Sequence, residues 1–69
     1  MKKTEYFVSD LANMSSIRKA IQNVTQERDN WINNRIELIG KIEDEQITFV
    51  PGPNNQSQCV IIKLTYFSK

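Results

Sequence analysis

An α+β fold is the class that this sequence predicts, with a single amphipathic helix packed on one face of a mainly antiparallel sheet of three or four strands, in the order β-α-β-β-β. Gln58–Phe67 is a long run of β-branched and aromatic residues, and Asp10–Asn33 has apolar residues spaced by three and four. A chain of 69 residues with one cysteine can build one small core without disulfides. We therefore expect residues 1–69 to form a single domain.

The first strand is predicted at Lys3–Val8, ahead of the helix. Alternation places Tyr6 and Val8 on its core side and Phe7 on its outer side. Ser9-Asp10 ends the strand, because both side chains bond readily to the local backbone.

The helix is predicted at about Ser15–Ile32, and Asn33-Asn34 ends it because Asn tolerates the left-handed conformation found just past helices. No capping box selects its first residue. Arg28 takes one position in the apolar series, where its stem can lie along apolar surface while its charge reaches water. The N-cap stays open between Ser9, Asp10, Asn13 and Ser15, and the apolar face consists of Leu11, Met14, Ile17, Ile21, Val24 and Trp31.

Two strands are predicted between the helix and the last strand. Arg35–Ile42 is the second strand and Gln46–Val50 the third, joined by the charged turn Glu43–Glu45. Ile39 alternates to the outer side of the second strand. Pro51–Ser57 is predicted to be a loop, because two prolines and a glycine exclude regular structure there. The core side of these strands is predicted to consist of Ile36, Leu38, Ile42, Ile47 and Phe49.

The last strand, Gln58–Phe67, has two different faces, one apolar and one mixed. The last three strands are expected to form a meander. The first strand, which joins through the helix, is expected to run parallel to the second and the last, and its neighbour in the sheet is left open. The core face consists of Val60, Ile62, Leu64 and Tyr66, and the outer face consists of Cys59, Ile61, Lys63, Thr65 and Phe67.

Composition argues against catalysis. The chain has no histidine and one cysteine, which excludes serine–histidine and cysteine–histidine pairs as well as a zinc site built from cysteines. Gly40 and Gly52 are the two glycines, too few for a phosphate-binding loop. We expect no enzyme activity, catalytic residue, metal, cofactor or small-molecule substrate, and we interpret the carboxylates of Glu43–Glu45 as a solvated turn.

Hydropathy and composition also predict where the protein works. No stretch approaches the ~18 consecutive apolar residues of a membrane span, and Met1–Lys3 is followed by Thr4-Glu5 rather than by an apolar signal segment. We expect a cytoplasmic protein with no membrane partner. Ile, Asn and Lys are abundant, and their codons are A/T-rich, which indicates a low-GC bacterium or a phage or mobile element of such a host.

The outer face of the sheet is the main functional signal, because the one helix is already used on the other face. An exposed apolar patch on a small protein is typical of an interface. We expect a non-catalytic protein-interaction module, an accessory or inhibitor protein that forms a homodimer or docks on a larger host protein. Val50 can extend this face at the end of its strand. The predicted partner-binding residues are Phe7, Ile39, Cys59, Ile61 and Phe67.

The alternative is a single-stranded nucleic-acid-binding protein that stacks bases on Phe7 and Phe67 of the same face. Carboxylates interrupt this face at Glu5 and Glu37, and a formal net charge of +1 gives no general attraction to nucleic acid. This class therefore ranks second. Its predicted nucleic-acid-binding residues are Arg35, Lys41 and Lys63.

Overall fold

Three strands form one antiparallel sheet with the last strand in the middle, and the helix lies on one face of it. The structure, a computed structural model, describes residues 1–53 and 56–69. The predicted α+β class is confirmed, with the order β-α-β-β, and a fourth strand is not seen among these residues. The elements are β1 (Lys2–Val8), α1 (Ile17–Asn34), β2 (Ile39–Pro51) and β3 (Gln58–Ser68), and the strand order across the sheet is β1-β3-β2.

The core lies between α1 and the paired strands β1 and β3. Val60, Ile62 and Leu64 of β3 are almost wholly buried, as the sequence predicts. Residues directly opposite each other in antiparallel strands share a face, and Phe7 of β1 is opposite Ile62. Val24 of α1 packs into the same cluster. The central strand therefore supplies most of the apolar surface that holds the fold together.

Trp31 closes one end of the core. Its ring meets that of Phe7 edge-on with 5.8 Å between ring centroids, and that of Tyr66 with 5.3 Å. Edge-to-face contacts of this kind are favourable for aromatic pairs. The guanidinium carbon of Arg35 lies 4.9 Å from the Trp31 ring centroid, within range of a cation–π interaction. One side chain thus ties α1 to both β1 and β3.

The charged turn predicted at Glu43–Glu45 is wrong, because β2 runs through these residues as a strand. Its register against β3 shifts between Ile39 and Lys41 and again between Ile42 and Asp44. Each shift absorbs one extra residue as a β-bulge. The predicted second and third strands are therefore one strand. With one turn fewer, β3 runs antiparallel to β1, not parallel to it as the meander predicted.

The two bulges decide which residues of β2 face the helix. Each bulge adds one residue and so inverts the alternation of faces beyond it. As a result Ile39, Ile42 and Ile47 all pair with β3 residues on the helix side. The prediction that Ile39 lies outside is wrong, and its side chain is 9% exposed. Ile36 and Leu38, predicted in the core, belong to a turn before β2 and are exposed.

β1 is also inverted relative to the prediction. Phe7, expected on the outer side, is 3% exposed beneath α1, whereas Tyr6 and Val8, expected in the core, are 56% and 55% exposed on the opposite side. Both faces of β1 carry apolar residues, so alternation alone does not choose between them. The Phe7 ring takes the place opposite Ile62, and the tyrosine hydroxyl stays on the side that reaches water.

Asn13 anchors the start of α1. Its side-chain Oδ1 accepts hydrogen bonds from the backbone N–H groups of Ser15 and Ser16, at 3.0 and 3.1 Å, and from both hydroxyls. Ser16 is the N-cap but makes no side-chain cap bond. The helix runs from Ile17 to Asn34, so both ends lie two residues later than predicted, and Asn33-Asn34 belong to the helix instead of ending it. The Asn13 turn therefore fixes the chain just before the helix.

The segment between β1 and α1 runs along one end of the sheet, beside the loop that joins β2 to β3. Ala12 and Gln58 exchange two backbone hydrogen bonds of 2.8 Å. A Cβ atom on Gly52 would lie 2.8 Å from the end of the exposed Leu11 side chain, so the two segments approach each other closely here. Asn54-Asn55 of the predicted loop lies outside the described residues.

The two ends of the chain meet at the other end of the sheet. The backbone N–H of Ser68 donates to the carbonyl of Met1 at 2.9 Å, and the N–H of Lys69 donates to the carbonyl of Leu38 at 2.9 Å. β1 is thus paired with β3 over its whole length, from Lys2 opposite Phe67 to Val8 opposite Ile61.

α1 covers two of the three strands. It packs on β3 and β1, and it reaches β2 through an ion pair between Arg28 and Glu45. Apart from the buried Ile39, the apolar helix-side residues of β2 are consequently half-exposed, with Ile42, Ile47 and Phe49 at 43%, 49% and 47%. We call these three residues the β2 row. They face the same side as the core but lie beyond the reach of the helix.

Replacing Ile62 with Ala should lower the free energy of unfolding by about 2–5 kcal/mol, because a fully buried side chain is lost and a cavity is left. Urea unfolding followed by circular dichroism measures this loss. If that variant does not fold, Ile62→Val should cost about 0.5–1.5 kcal/mol. The matched control is Ile36→Ala, an exposed position in the turn, which should change stability by less than about 0.5 kcal/mol. Equal losses at the two positions would contradict this core.

Candidate interaction surface

The sheet surface that faces away from α1 is covered by no other helix or strand of the described residues, and we call it the open face. Its members follow from the register. Val8 is opposite Ile61, and Val50 is opposite Cys59, on the side away from the buried Ile62. These neighbours form a continuous apolar area across the three strands. The apolar side chains of the open face are Tyr6, Val8, Val50, Cys59, Ile61 and Phe67.

Three of the five predicted partner-binding residues lie on the open face, namely Cys59, Ile61 and Phe67. Cys59 and Ile61 are partly buried, and Phe67 is at the exposed end of β3. The other two, Phe7 and Ile39, are buried on the helix side, so they belong to the core rather than to a partner surface. The inverted β1 and the bulges of β2 account for both corrections. A binding role for the three residues stays a prediction.

Tyr6 and Val8 belong to the open face but are absent from the predicted set. In the sequence they alternate with Phe7, so the signal for them was the same as the signal for a core strand. Only the pairing with β3 shows which face of β1 points to the core, because it places Val8 opposite Ile61 and Phe7 opposite Ile62. The face of β1 that carries Tyr6 and Val8 therefore cannot be predicted without this register.

Basic and aromatic side chains are neighbours at two places on the open face, in its middle and at one end. Tyr6 is opposite Lys63, and Phe67 lies between Lys2 on β1 and Lys41 on β2. The predicted pair Lys41 and Lys63 is thus brought to one surface. The third predicted basic residue is elsewhere, because Arg35 lies over the Trp31 ring on the helix side.

Acidic side chains weaken this basic end. The Lys2 ammonium is 3.0 Å from a carboxylate oxygen of Glu43, and Asp44 is opposite Thr65 of the open face. The carboxylates predicted to interrupt the face are not on it, since Glu5 is opposite Leu64 on the helix side and Glu37 is in the turn before β2. Lys41 and Lys63 make no ion pair within residues 1–53 and 56–69.

Arg28 is the centre of the main polar contact on the helix side. Its Nη1 donates to both carboxylate oxygens of Glu45 at 2.9 Å, and its Nε and Nη2 donate to Oδ1 of Asp29 at 3.0 and 2.8 Å. Burial disfavours the charged guanidinium, but the hydrogen bonds that Arg28 donates to Asp29 and Glu45, and the charges of these carboxylates, outweigh it, and the pKa of Arg28 is raised. Arginine is charged at all accessible pH values in any case, so the cluster is a structural link between α1 and β2.

Reactive chemistry has little support among the described residues. They contain no group of three or more Cys, Asp or Glu side chains placed to hold a metal ion. Cys59 is a free, partly buried thiol on the open face, and a cysteine in that position behaves as a small apolar residue. No helix in the described part of the chain has the length and apolar character needed to cross a membrane.

A double-mutant cycle on Arg28→Ala and Glu45→Ala should give a coupling free energy of about 0.5–1.5 kcal/mol, because this bidentate pair is mostly shielded from water. Urea unfolding of the four proteins measures it. The matched control is the more exposed pair Lys2 and Glu43, for which we expect less than about 0.5 kcal/mol. A smaller coupling for Arg28 and Glu45 than for the control pair would refute the link.

Comparison with known proteins adds no family to this description. No protein-family model matches the chain, and neither the curated proteins nor the solved structures include a significant match.

Proposed function

We propose that this chain is a non-catalytic protein-interaction module that binds its partner through the open face. The supporting observation is the apolar area across all three strands, with Val8 beside Ile61 and Val50 beside Cys59. α1 lies on the other side of the sheet, and no other described element covers this face. Apolar surface of this kind on a small protein favours association, because burial removes it from water.

Charge distribution on the open face indicates the chemistry of the partner. The apolar part lies around Val8 and Ile61. Lys63 follows it in the middle of β3, and Lys41 lies at the far end, opposite Phe67; neither lysine has an ion pair among the described residues. A protein surface with an apolar centre and carboxylates at one end would complement both parts. We therefore propose a different, acidic-rimmed protein as the occupant of the open face.

A second copy of the chain fits the open face less well. If two open faces packed with their strands parallel, Lys41 and Lys63 would face the same lysines of the other copy and repel them. If they packed antiparallel, these lysines would be pressed against other parts of the second open face, which offers them no free carboxylate partner beyond Asp44, and they would lose hydration. Both arrangements therefore have an unfavourable electrostatic free energy, which binding to an acidic partner would avoid.

Single-stranded nucleic acid is the second candidate, and one observation favours it. Tyr6 lies beside Lys63, and Phe67 lies between Lys2 and Lys41, an arrangement that would suit base stacking with phosphate contacts nearby. The ion pair of Lys2 with Glu43 and the net charge of +1 weaken the attraction. Protein binding therefore ranks first.

Replacing Ile61 with Glu should abolish capture of a partner from an extract of the source cells, because it places a charge in the apolar centre of the open face. Affinity capture with mass spectrometry of the bound fraction measures this. Val8→Glu, at a more exposed position, repeats the test if Ile61→Glu does not fold by circular dichroism. Ile36→Glu, outside the open face, is the control that should leave capture unchanged.

Salt and charge dependence complete this test. Lys63→Glu should weaken capture by about tenfold at low salt and by less at high salt, because its expected partner groups are carboxylates. Capture that survives Ile61→Glu and Val8→Glu, or no capture at all, would overturn the proposal.

A nucleic-acid titration separates the second candidate from the first. Fluorescence anisotropy of a labelled oligo-dT at low salt should show no saturable binding if the open face binds protein. Saturable binding that Lys63→Glu weakens and that falls steeply with added salt would instead favour the nucleic-acid function.

A further inference from the structure

β2 has two unsatisfied features on one strand. Within residues 1–53 and 56–69 it is an edge strand that pairs with β3 alone, so alternate backbone N–H and C=O groups along its other side have no strand partner there. Ile47 and Phe49 of the β2 row are also half-exposed. An open edge and an exposed apolar row on the same strand are what a paired strand from another chain would satisfy together.

The two halves of β2 differ in how well they could accept another strand. The first half contains both bulges and the carboxylates of Glu43–Glu45, and bulges and charges are the means by which natural edge strands avoid pairing. The second half, Gln46–Val50, has no charge, no bulge and strong β-forming residues, and Pro51 ends it. Pairing on this edge is therefore open over Gln46–Val50 and closed on either side.

We infer that β2 pairs with β2 of a second copy of this chain, antiparallel and about a two-fold axis at Thr48. Such a symmetric pairing places Ile47 opposite Phe49 of the other copy twice, on the helix side. Gln46 then lies opposite Val50 of the other copy. The four aromatic and aliphatic side chains from the two β2 rows meet at the axis and are removed from water.

The charges and the proline select this register over its neighbours. An axis at Ile47 would place Glu45 opposite Phe49 of the other copy, and an axis at Phe49 would place Pro51, which has no N–H, opposite Ile47. The axis at Thr48 is the one that pairs all five residues of Gln46–Val50 without either. Gln46–Val50 is thus complementary to a second copy of itself. This self-complementarity favours a second copy of the chain over a different protein as the partner.

This dimer does not rest on the proposed function, because the edge of β2 and the open face are separate surfaces. The six strands of the dimer would form one continuous sheet, and both open faces would stay uncovered on the side away from the helices. Ile61→Glu should therefore leave dimerisation intact while it abolishes partner capture.

Sedimentation equilibrium of the full chain over a wide concentration range tests the inference. We expect a monomer–dimer equilibrium that Ile47→Lys weakens by about tenfold or more, because it places two cations at the axis. Ile42→Lys is the matched control, on the same strand and face with similar exposure, but outside the paired segment, and it should dimerise as the parent does. A monomeric mass at all concentrations, or equal effects of the two variants, would overturn the inference.

A cysteine at the axis tests the register directly. In a Cys59→Ser background, which removes the one native thiol, Thr48→Cys should form a disulfide-linked dimer on mild oxidation. Cβ atoms directly opposite in antiparallel strands are about 4.5–5.5 Å apart, close to disulfide geometry. Asp44→Cys in the same background should not crosslink, because its two copies would be far apart along the strands. Crosslinking at position 44 but not at position 48 would overturn the register.

Discussion

Width is the constraint that shapes the rest of this structure. An α-helix with its side chains is about 10 Å across, whereas three strands at about 4.8 Å spacing occupy roughly 14 Å. One helix can therefore bury two strands well and the third poorly. α1 takes its place over β1 and β3, around the fully buried Val60, Ile62 and Leu64. The exposed β2 row and the uncovered open face both follow from having a single helix for a three-stranded sheet.

The side of β2 that lies beyond the helix is handled in two ways. Near its middle, Arg28 extends from α1 and binds Glu45. This ion pair links the helix to β2 at a distance that apolar side chains of α1 do not span. Further along, Ile47 and Phe49 have no such bridge and stay half-exposed. The ion pair and the bulges disfavour association through the first half of β2. The second half has the apolar composition of a buried strand but stays half-exposed.

The parts of the fold that the sequence predicts well are those in which one residue pattern has one physical interpretation. β3 has an apolar face and a mixed face, and its buried residues are the predicted ones. Val24 and Trp31 likewise face the core. The pattern becomes ambiguous where both faces of a strand are apolar, as at Phe7 with its neighbours, because then only the register against another strand decides.

The bulges of β2 are the second reason, after the two apolar faces of β1, why only some of the predicted partner-binding residues lie on the open face. The run Glu43–Glu45 has the composition of a turn, and nothing in the local sequence distinguishes a turn from a bulged strand held by a long partner. Since each bulge inverts the faces beyond it, Ile39 moved from the predicted surface to the core. Cys59, Ile61 and Phe67 were unaffected, because β3 carries the regular side of both pairings.

The place of β3 between the other strands also sets the order in which the fold can form. β1 and β2 do not pair with each other, so no sheet exists until the chain reaches Gln58–Ser68. The pairing of Lys2 with Phe67 then closes nearly the whole chain into one loop, at an entropic cost that grows with the logarithm of its length. A ribosome-bound chain would carry β1 and α1 without their central strand, and folding would wait for the last residues of β3 to emerge.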